Sequence, residues 1–230
     1  MQTMNNTETY LLTCPPCGAT KLIAYSKAPW YDTEGYVLWS DGRVESNEWL
    51  EPAKTQQCQT CKHFFLLPKK DNLQDVQTPC RDTGRLPLQT LKQAIAELSG
   101  EGENVEWPRL EAWWAYNEMY KDVAEEDIPV GEREFNRANM QWLLDYYNKT
   151  EYGFQQLRFE LLRLLGLENE YRQKLANMTY EKFAEWYCDR NKKRGIYISS
   201  DDERVRRRYA DRVKELTAVL DKPLRPYPKT

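Results

Sequence analysis

Six cysteines carry the clearest chemistry in this sequence, and four of them form two C-x-x-C pairs. The pairs are Cys14-Pro15-Pro16-Cys17, which Gly18 follows, and Cys58-Gln59-Thr60-Cys61. Two residues between thiolates let each pair curl around one side of a tetrahedral ion at a Zn–S distance of about 2.3 Å. We therefore predict that Cys14, Cys17, Cys58 and Cys61 hold one Zn2+ ion. Four thiolates leave no open coordination position for water, so the predicted site is structural.

Other roles are open to the cysteines and to the single histidine, but the sequence favours them less. A redox C-x-x-C pair belongs in a strand-helix-strand context, whereas here two pairs share one strand-rich segment. His63 would have to displace a cysteine to become a ligand. Cys80 and Cys188 stand apart from the pairs and are interpreted as free thiols, although Cys80 could serve as a reserve ligand.

The sequence offers no familiar catalytic motif. The one histidine is not part of a Ser-His-Asp or H-E-x-x-H arrangement, and there is no glycine-rich phosphate loop. Acidic pairs such as Glu125-Glu126 and Asp201-Asp202 have no evident partner. We therefore interpret the protein as non-catalytic and keep an enzyme with a carboxylate or tyrosine site as an alternative.

The composition is that of a folded protein without a membrane segment. The chain has 230 residues, of which 40% are hydrophobic and 13% aromatic, and this excludes wholesale disorder. Its apolar runs are far shorter than the roughly 18 to 20 residues that span a bilayer. Residues 1–10 have neither the positive start nor the apolar stretch of a secretory signal. We therefore expect a cytoplasmic protein, in which closely spaced cysteines bind metal rather than form disulfides.

The cysteine pairs lie within a segment of strand-like texture. We predict a β-rich zinc ribbon over residues 8–68, with strand-like stretches next to both pairs. Asp41-Gly42, between Trp39 and Val44, predicts a hairpin turn because glycine tolerates positive φ. Residues 69–86 lose any apolar period, contain Pro79 and Gly84, are flanked by Pro68 and Pro87 and are predicted to be a linker.

From residue 87 to 221 the apolar spacing becomes that of helices. Five or six helices with short connections predict an antiparallel all-α domain. Residues 152–165 are apolar around nearly the whole circumference, which is typical of a buried central helix. Residues 222–230 contain three prolines and are predicted to be an extended tail. The predicted fold class is thus α+β, a small zinc ribbon followed by a helical domain.

The order of motifs resembles a group of bacterial proteins with a zinc-ribbon-like N-terminus and a tetratricopeptide-like helical C-terminus. The resemblance lies in Cys14-Pro15-Pro16-Cys17-Gly18, Leu38-Trp39-Ser40-Asp41-Gly42, Trp49-Leu50-Glu51-Pro52 and Cys58-Gln59-Thr60-Cys61. It extends more loosely to Leu110–Trp114 and Arg158–Gly166. It implies an architecture, including a tetratricopeptide-like stack, and no activity. The chain departs from this pattern at Lys62, where glycine is common, and in lacking a strict period of about 34 residues.

Charge is distributed unevenly although the net charge is only −3. Residues 97–134 contain 12 acids and three bases, whereas residues 190–214 contain ten bases and four acids. These segments either complement each other within the fold or present a surface to a charged partner. Arg204, Arg208 and Arg212 share one helix face at i, i+4 and i+8 and are the candidate contact residues of the basic segment.

We predict a non-catalytic, zinc-containing scaffold that binds another protein. Trp30, Tyr31 and Tyr36 lie between the cysteine pairs and are the predicted contact residues, because aromatic side chains dominate interface energetics. The alternative is a nucleic-acid-binding protein that uses the ribbon and the basic segment to contact phosphates. An acidic pI of about 5.5 weighs against that alternative.

Overall fold

The computed structural model describes residues 7–27, 37–38, 41, 44–45, 51–78, 80–102, 104–149, 155–192 and 197–218. It divides into two compact units, with the boundary between Asn139 and Met140. The first unit contains the strands and the first helices, and the second unit is helical in its described residues. Antiparallel strands together with seven described α-helices confirm the α+β fold class.

The described strands of the first unit all pair antiparallel. They are β1 (Thr7–Thr13), β2 (Thr20–Ser26), β3 (Val37–Leu38), β4 (Val44–Glu45), β5 (Thr55–Gln57), β6 (Phe64–Leu66) and β7 (Gln74–Val76). The order β2-β1-β7 forms a three-stranded sheet, while β3-β4 and β5-β6 are hairpins of two strands each. The register of β3 and β4 pairs Val37 with Glu45 and Leu38 with Val44, on either side of the predicted Asp-Gly turn. The hairpin prediction is confirmed.

A small apolar core lies between the β1-β2 hairpin and the β5-β6 hairpin. It contains Leu12, Ile23 and Phe65 together with the buried cysteines Cys14 and Cys58. Alternate residues of a strand face the same side of a sheet, which places Leu12 and Cys14 together on β1 and its continuation. Two of the candidate metal ligands are therefore part of the hydrophobic core.

Residues 69–86 contain more regular structure than the predicted linker requires. A 3-10 helix spans Lys70–Asn72, and β7 then adds an edge strand to β1. Further along, the Asp82 carbonyl accepts a hydrogen bond from the Ala24 N–H at 2.9 Å, and the Thr83 carbonyl accepts one from the Ala53 N–H at 2.8 Å. These contacts are hydrogen bonds between backbone groups, so they form without an apolar pattern in the side chains.

Two helices and the start of a third complete the first unit. They are α1 (Leu88–Gly100), α2 (Glu106–Met119) and α3 (Val130–Lys149), and the unit boundary falls within α3. Leu88, Leu91 and Ile95 on α1 pack with Ala112 and Tyr116 on α2. The helical spacing that predicted α1 is thus the spacing of its buried face.

The second unit continues from α3 through α4 (Gln155–Leu164), α5 (Glu168–Ala176), α6 (Tyr180–Lys192) and α7 (Glu203–Ala218). In α4, Leu157, Phe159, Leu161 and Leu162 are buried, as predicted for a central helix. Tyr171 is the one buried residue of α5, which explains why the sequence pattern did not predict this helix. A stack of tetratricopeptide type stays a prediction.

A cluster of aromatic side chains joins α6 to α7. Phe183 and Val205 form its buried centre, and Trp186, Tyr187 and Tyr209 pack against them. Each aromatic side chain removes a large apolar area from water, so a few such contacts hold two helices together. Of the helices that the structure describes, none has the length and apolar character needed to cross a membrane.

Candidate metal centre

The fold brings the two cysteine pairs together into one group of four thiols. The Sγ atoms of Cys14 and Cys61 are 3.7 Å apart, and those of Cys17 and Cys58 are 3.5 Å apart. All four Sγ atoms lie within 4.8 Å of one another. A tetrahedral ion with Zn–S bonds of about 2.3 Å separates its ligands by about 3.8 Å. This group, called the thiol cluster below, could therefore hold a metal ion.

The first cysteine pair lies in a tight turn, residues 14–19, called the first knuckle. The Cys14 N–H donates to the Ala19 carbonyl at 2.8 Å, and the Gly18 N–H donates to the Cys14 carbonyl at 2.9 Å. Gly18 has φ +71°, a conformation that glycine adopts without steric cost. The turn directs the chain back from β1 into β2, with Cys14 buried and Cys17 exposed.

The second pair has the same backbone pattern, in residues 58–63, called the second knuckle. The Cys58 N–H donates to the His63 carbonyl at 3.0 Å, and the Lys62 N–H donates to the Cys58 carbonyl at 3.0 Å. Lys62 has φ +63° and is the one non-glycine residue with positive φ in the described chain. Lysine therefore takes the position that Gly18 has in the first knuckle, at the cost of a less favourable backbone conformation.

Burial and backbone hydrogen bonds act differently on the two buried thiols. Burial raises the pKa of Cys14 to about 12, because the thiolate form loses hydration. The Cys61 N–H donates to Cys58 Sγ at 3.5 Å, and this bond, together with hydrogen bonds from the Thr60 N–H and the neighbouring thiols, lowers the pKa of Cys58 to about 6. A bound cation would stabilise all four thiolates, so metal binding and proton release are coupled at this site.

A lysine ammonium lies in the same electrostatic environment. Lys21 on β2 is half-buried, and burial lowers its pKa, while the charges of Asp82 and Cys58 oppose that shift. Four thiolates carry more negative charge than one divalent ion neutralises. Lys21 therefore supplies positive charge where the predicted centre has an excess of negative charge.

The remaining candidate ligands stay outside the thiol cluster. His63 contributes its carbonyl to the second knuckle, and among the described residues its ring does not belong to the group of ligand atoms that lie within 4.8 Å of one another. Cys80 Sγ instead accepts a hydrogen bond from the Asp82 N–H at 3.3 Å. Cys188 packs in the aromatic cluster of α6 and α7. All six cysteines are free of disulfides.

The predicted partner-contact residues give a different result. Trp30, Tyr31 and Tyr36 lie outside the described residues. On α7, Arg204 pairs with Asp202 at 2.5 Å, and this contact lowers the pKa of Asp202 to about 2. Arg212 pairs with Glu215 at 2.9 Å and leaves only 20% of its side chain exposed, while Arg208 is exposed. Two members of the predicted arginine stripe therefore form ion pairs with neighbours on the same chain.

The sequence pattern did not predict the contacts that α2 makes with the segment between the two knuckles. Glu111 accepts hydrogen bonds from two backbone N–H groups at the start of β5, those of Lys54 at 2.5 Å and Thr55 at 3.1 Å. Trp114 Nε1 donates to the Asp41 carbonyl at 3.0 Å, and Asn117 Nδ2 donates to Asp41 Oδ2 at 2.7 Å. The one signal in the sequence was that Glu111, Trp114 and Asn117 follow one another at intervals of three residues, which places their polar groups on one side of a helix.

Comparison with protein-family models, with curated proteins and with solved structures gives no match for this chain. The geometry of the thiol cluster and its surroundings is therefore the basis of the functional proposal.

Proposed function

We propose that this protein is a non-catalytic scaffold whose first unit is held together by one structural Zn2+ ion. The observation that carries the proposal is the convergence of four Sγ atoms from two matching knuckles within 4.8 Å. Four protein thiolates complete a tetrahedral coordination sphere and leave no position for a reactive water. The metal would contribute folding free energy to the ribbon rather than chemistry.

The donor set favours zinc among the divalent metals of the cell. Tetrahedral thiolate sites select zinc or iron, because soft sulfur ligands bind these ions better than magnesium or calcium. In such a site the chain's own residues have defined roles: the four cysteines ligate, the knuckle N–H groups orient the sulfurs, and Lys21 balances charge. No step of a reaction is assigned to the ion.

The scaffold part of the proposal rests on what the first unit leaves accessible. Met119, at the end of α2, is 51% exposed, and Val130, at the start of α3, is 59% exposed. These two side chains are the exposed apolar groups of the first unit that we propose for contact with another protein. The ion pairs of Arg204 and Arg212 do not favour the nucleic-acid alternative. We propose another protein as the partner, with Trp30, Tyr31 and Tyr36 as further contact residues.

Metal content tests the first half of the proposal. The full chain purified without added metal should contain about one zinc per chain by elemental analysis, and it should be colourless, because an iron-thiolate site absorbs visible light. Cys14→Ser should lose zinc, whereas Cys80→Ser is the matched control and should retain it. A wild-type chain without zinc, or a Cys14→Ser variant with full zinc, would contradict the proposed metal centre.

Co-purification tests the second half. The zinc-loaded, tagged chain should retain a specific protein at moderate salt, and the combined change of Met119 and Val130 to Ser should weaken that retention. Material that absorbs at 260 nm and dissociates steeply with salt would instead favour the nucleic-acid alternative, because phosphate contacts are salt-dependent. In that case Arg208→Glu should weaken binding more than the apolar substitutions.

A further inference from the structure

The strand that leads into the second knuckle begins at a helix carboxylate. β5 starts at Thr55, three residues before Cys58, and pairs with β6 in the register Thr55 with Leu66 and Gln57 with Phe64. The N–H groups of Lys54 and Thr55 both donate to the carboxylate of Glu111 on α2. One side chain of α2 therefore fixes the backbone immediately ahead of a metal ligand.

The Glu111 contact has the character of a specific interaction. A carboxylate that accepts two consecutive backbone N–H groups sets both the position and the orientation of that peptide segment. The site is shielded from water, and this desolvation raises the pKa of Glu111, while the N–H groups oppose the shift. Removing such an acceptor leaves shielded donors without a partner, which costs more than an exposed hydrogen bond would.

A second contact of α2 lies at the other hairpin between the knuckles. Asp41 is fully buried in the turn between β3 and β4 and binds the side chains of Trp114 and Asn117. Glu111, Trp114 and Asn117 are spaced three residues apart, so one side of α2 faces the segment that joins the two cysteine pairs. The helix is thereby connected to the ribbon at two places within the first unit.

We infer that Glu111 is a positioning residue that couples α2 to the thiol cluster, so that metal binding stabilises α2 and docking of α2 strengthens metal binding. The inference rests on the metal centre proposed above and extends it from the ribbon to the helices of the first unit. Such coupling is reciprocal: the factor by which zinc stabilises α2 equals the factor by which docked α2 tightens zinc.

Hydrogen exchange of the wild-type chain, with zinc and after chelation under reducing conditions, tests the coupling without any variant. Amides of α2 should lose protection by at least about fivefold when zinc is removed, the lower end of the usual range for coupled sites. Amides of α6 and α7, in the second unit, are the internal reference and should not change. Equal protection of α2 in the zinc-loaded and zinc-free chain would overturn the inference.

Glu111→Gln identifies the residue responsible, with Glu118→Gln as the control at an exposed position two turns further along the same helix. Glu111→Gln should weaken zinc binding about tenfold in competition with a chromophoric chelator, and Glu118→Gln should not. It should also reduce the difference in α2 protection between the two zinc states. A purely structural glutamate would instead lower α2 protection equally in both states, and that result would overturn the assignment.

The two proposals fail in different ways. If the wild-type chain binds no zinc, the proposed metal centre is wrong. If it binds zinc but α2 is unaffected by zinc removal, the metal centre stands and only the coupling is wrong.

Discussion

The two units of this protein hold their elements together by different means. In the first unit, strands of two to seven residues bring the four cysteines of the thiol cluster together, and buried polar groups such as Asp41 bond to α2. In the second unit, helices of 9 to 16 residues pack through aliphatic and aromatic side chains such as Phe183. Short hairpins are marginal in water by themselves. The comparison leads us to expect that the first unit depends on the proposed metal, whereas the second unit depends mainly on side-chain packing.

The largest expected difference between the units follows from loss of one metal ligand. Cys58→Ser should remove the cooperative melting transition of the first unit, because the metal-binding free energy of such a site is folding free energy. The second unit should melt as in the wild type. Calorimetry of the full chain measures both transitions, with Cys188→Ser as the control in the second unit. A Cys58→Ser chain that retains both transitions would show that the two units are not different in this respect.

Removal of one partner of a buried ion pair is the corresponding test of stability in the second unit. Arg163 and Glu160 on α4 are 2.6 Å apart, and their side chains are only 3% and 4% exposed. Arg163→Ala should cost about 3–5 kcal/mol of unfolding free energy, because it leaves a buried carboxylate without its guanidinium. Zinc affinity should stay unchanged. Denaturant unfolding and a zinc competition assay on the same variant check both statements.

The control for this substitution is a pair of similar geometry on the protein surface. Arg172 and Glu168 on α5 are 2.5 Å apart, with side chains 60% and 63% exposed. Arg172→Ala should change stability by no more than about 0.5 kcal/mol, since solvent screens exposed pairs. Equal losses for Arg163→Ala and Arg172→Ala would show that burial of the α4 pair does not matter.

A smaller loss of stability is expected from substitution of Gly84, in the segment that lies against the ribbon. Gly84 has φ +66°, and a Cβ added there would lie 2.4 Å from Gln56 Oε1. Gly84→Ala should destabilise the first unit by about 1–3 kcal/mol through backbone strain and this contact. Gly100→Ala, at the end of α1 in open space, should have a neutral or slightly stabilising effect. Thermal melts of the zinc-loaded variants distinguish these outcomes.

The smallest effect compares the two knuckles themselves. Lys62→Gly should stabilise the zinc-loaded first unit by about 0.5–1 kcal/mol, since glycine adopts φ +63° without strain. Gly18→Ala should do the opposite by a similar amount, although a Cβ there meets nothing within 4 Å. Thermal melts of both variants at saturating zinc measure the change. If neither variant moves the melting temperature, backbone strain at the knuckles is not a determinant of stability.

The candidate site could be predicted from residue spacing because its chemistry is local. Each C-x-x-C pair forms its own turn, and Gly18 marks the positive φ that the turn requires. The hairpin at Asp41 and the buried face of α1 were equally local signals, a turn dipeptide and an apolar period. The structure bears these features out.

Other features depend on residues that are distant in the chain. β7 joins the sheet through backbone hydrogen bonds to β1. These bonds do not require an alternating apolar pattern, and the sequence of β7 has none. α5 buries only Tyr171 and therefore lacks an apolar period. Glu111 resembles any other acid on a helix until Lys54 and Thr55 are placed beside it.

The sequence by itself determined which residues could bind a metal, where strands give way to helices and which helix faces are apolar. These properties follow from residue types at fixed short spacings, which act within one turn or one helix. Only the tertiary structure decided that the two cysteine pairs converge, that α2 meets the strand before Cys58 and that the boundary between the units falls within α3. Such contacts join segments more than 40 residues apart, and no local pattern encodes the distance between them.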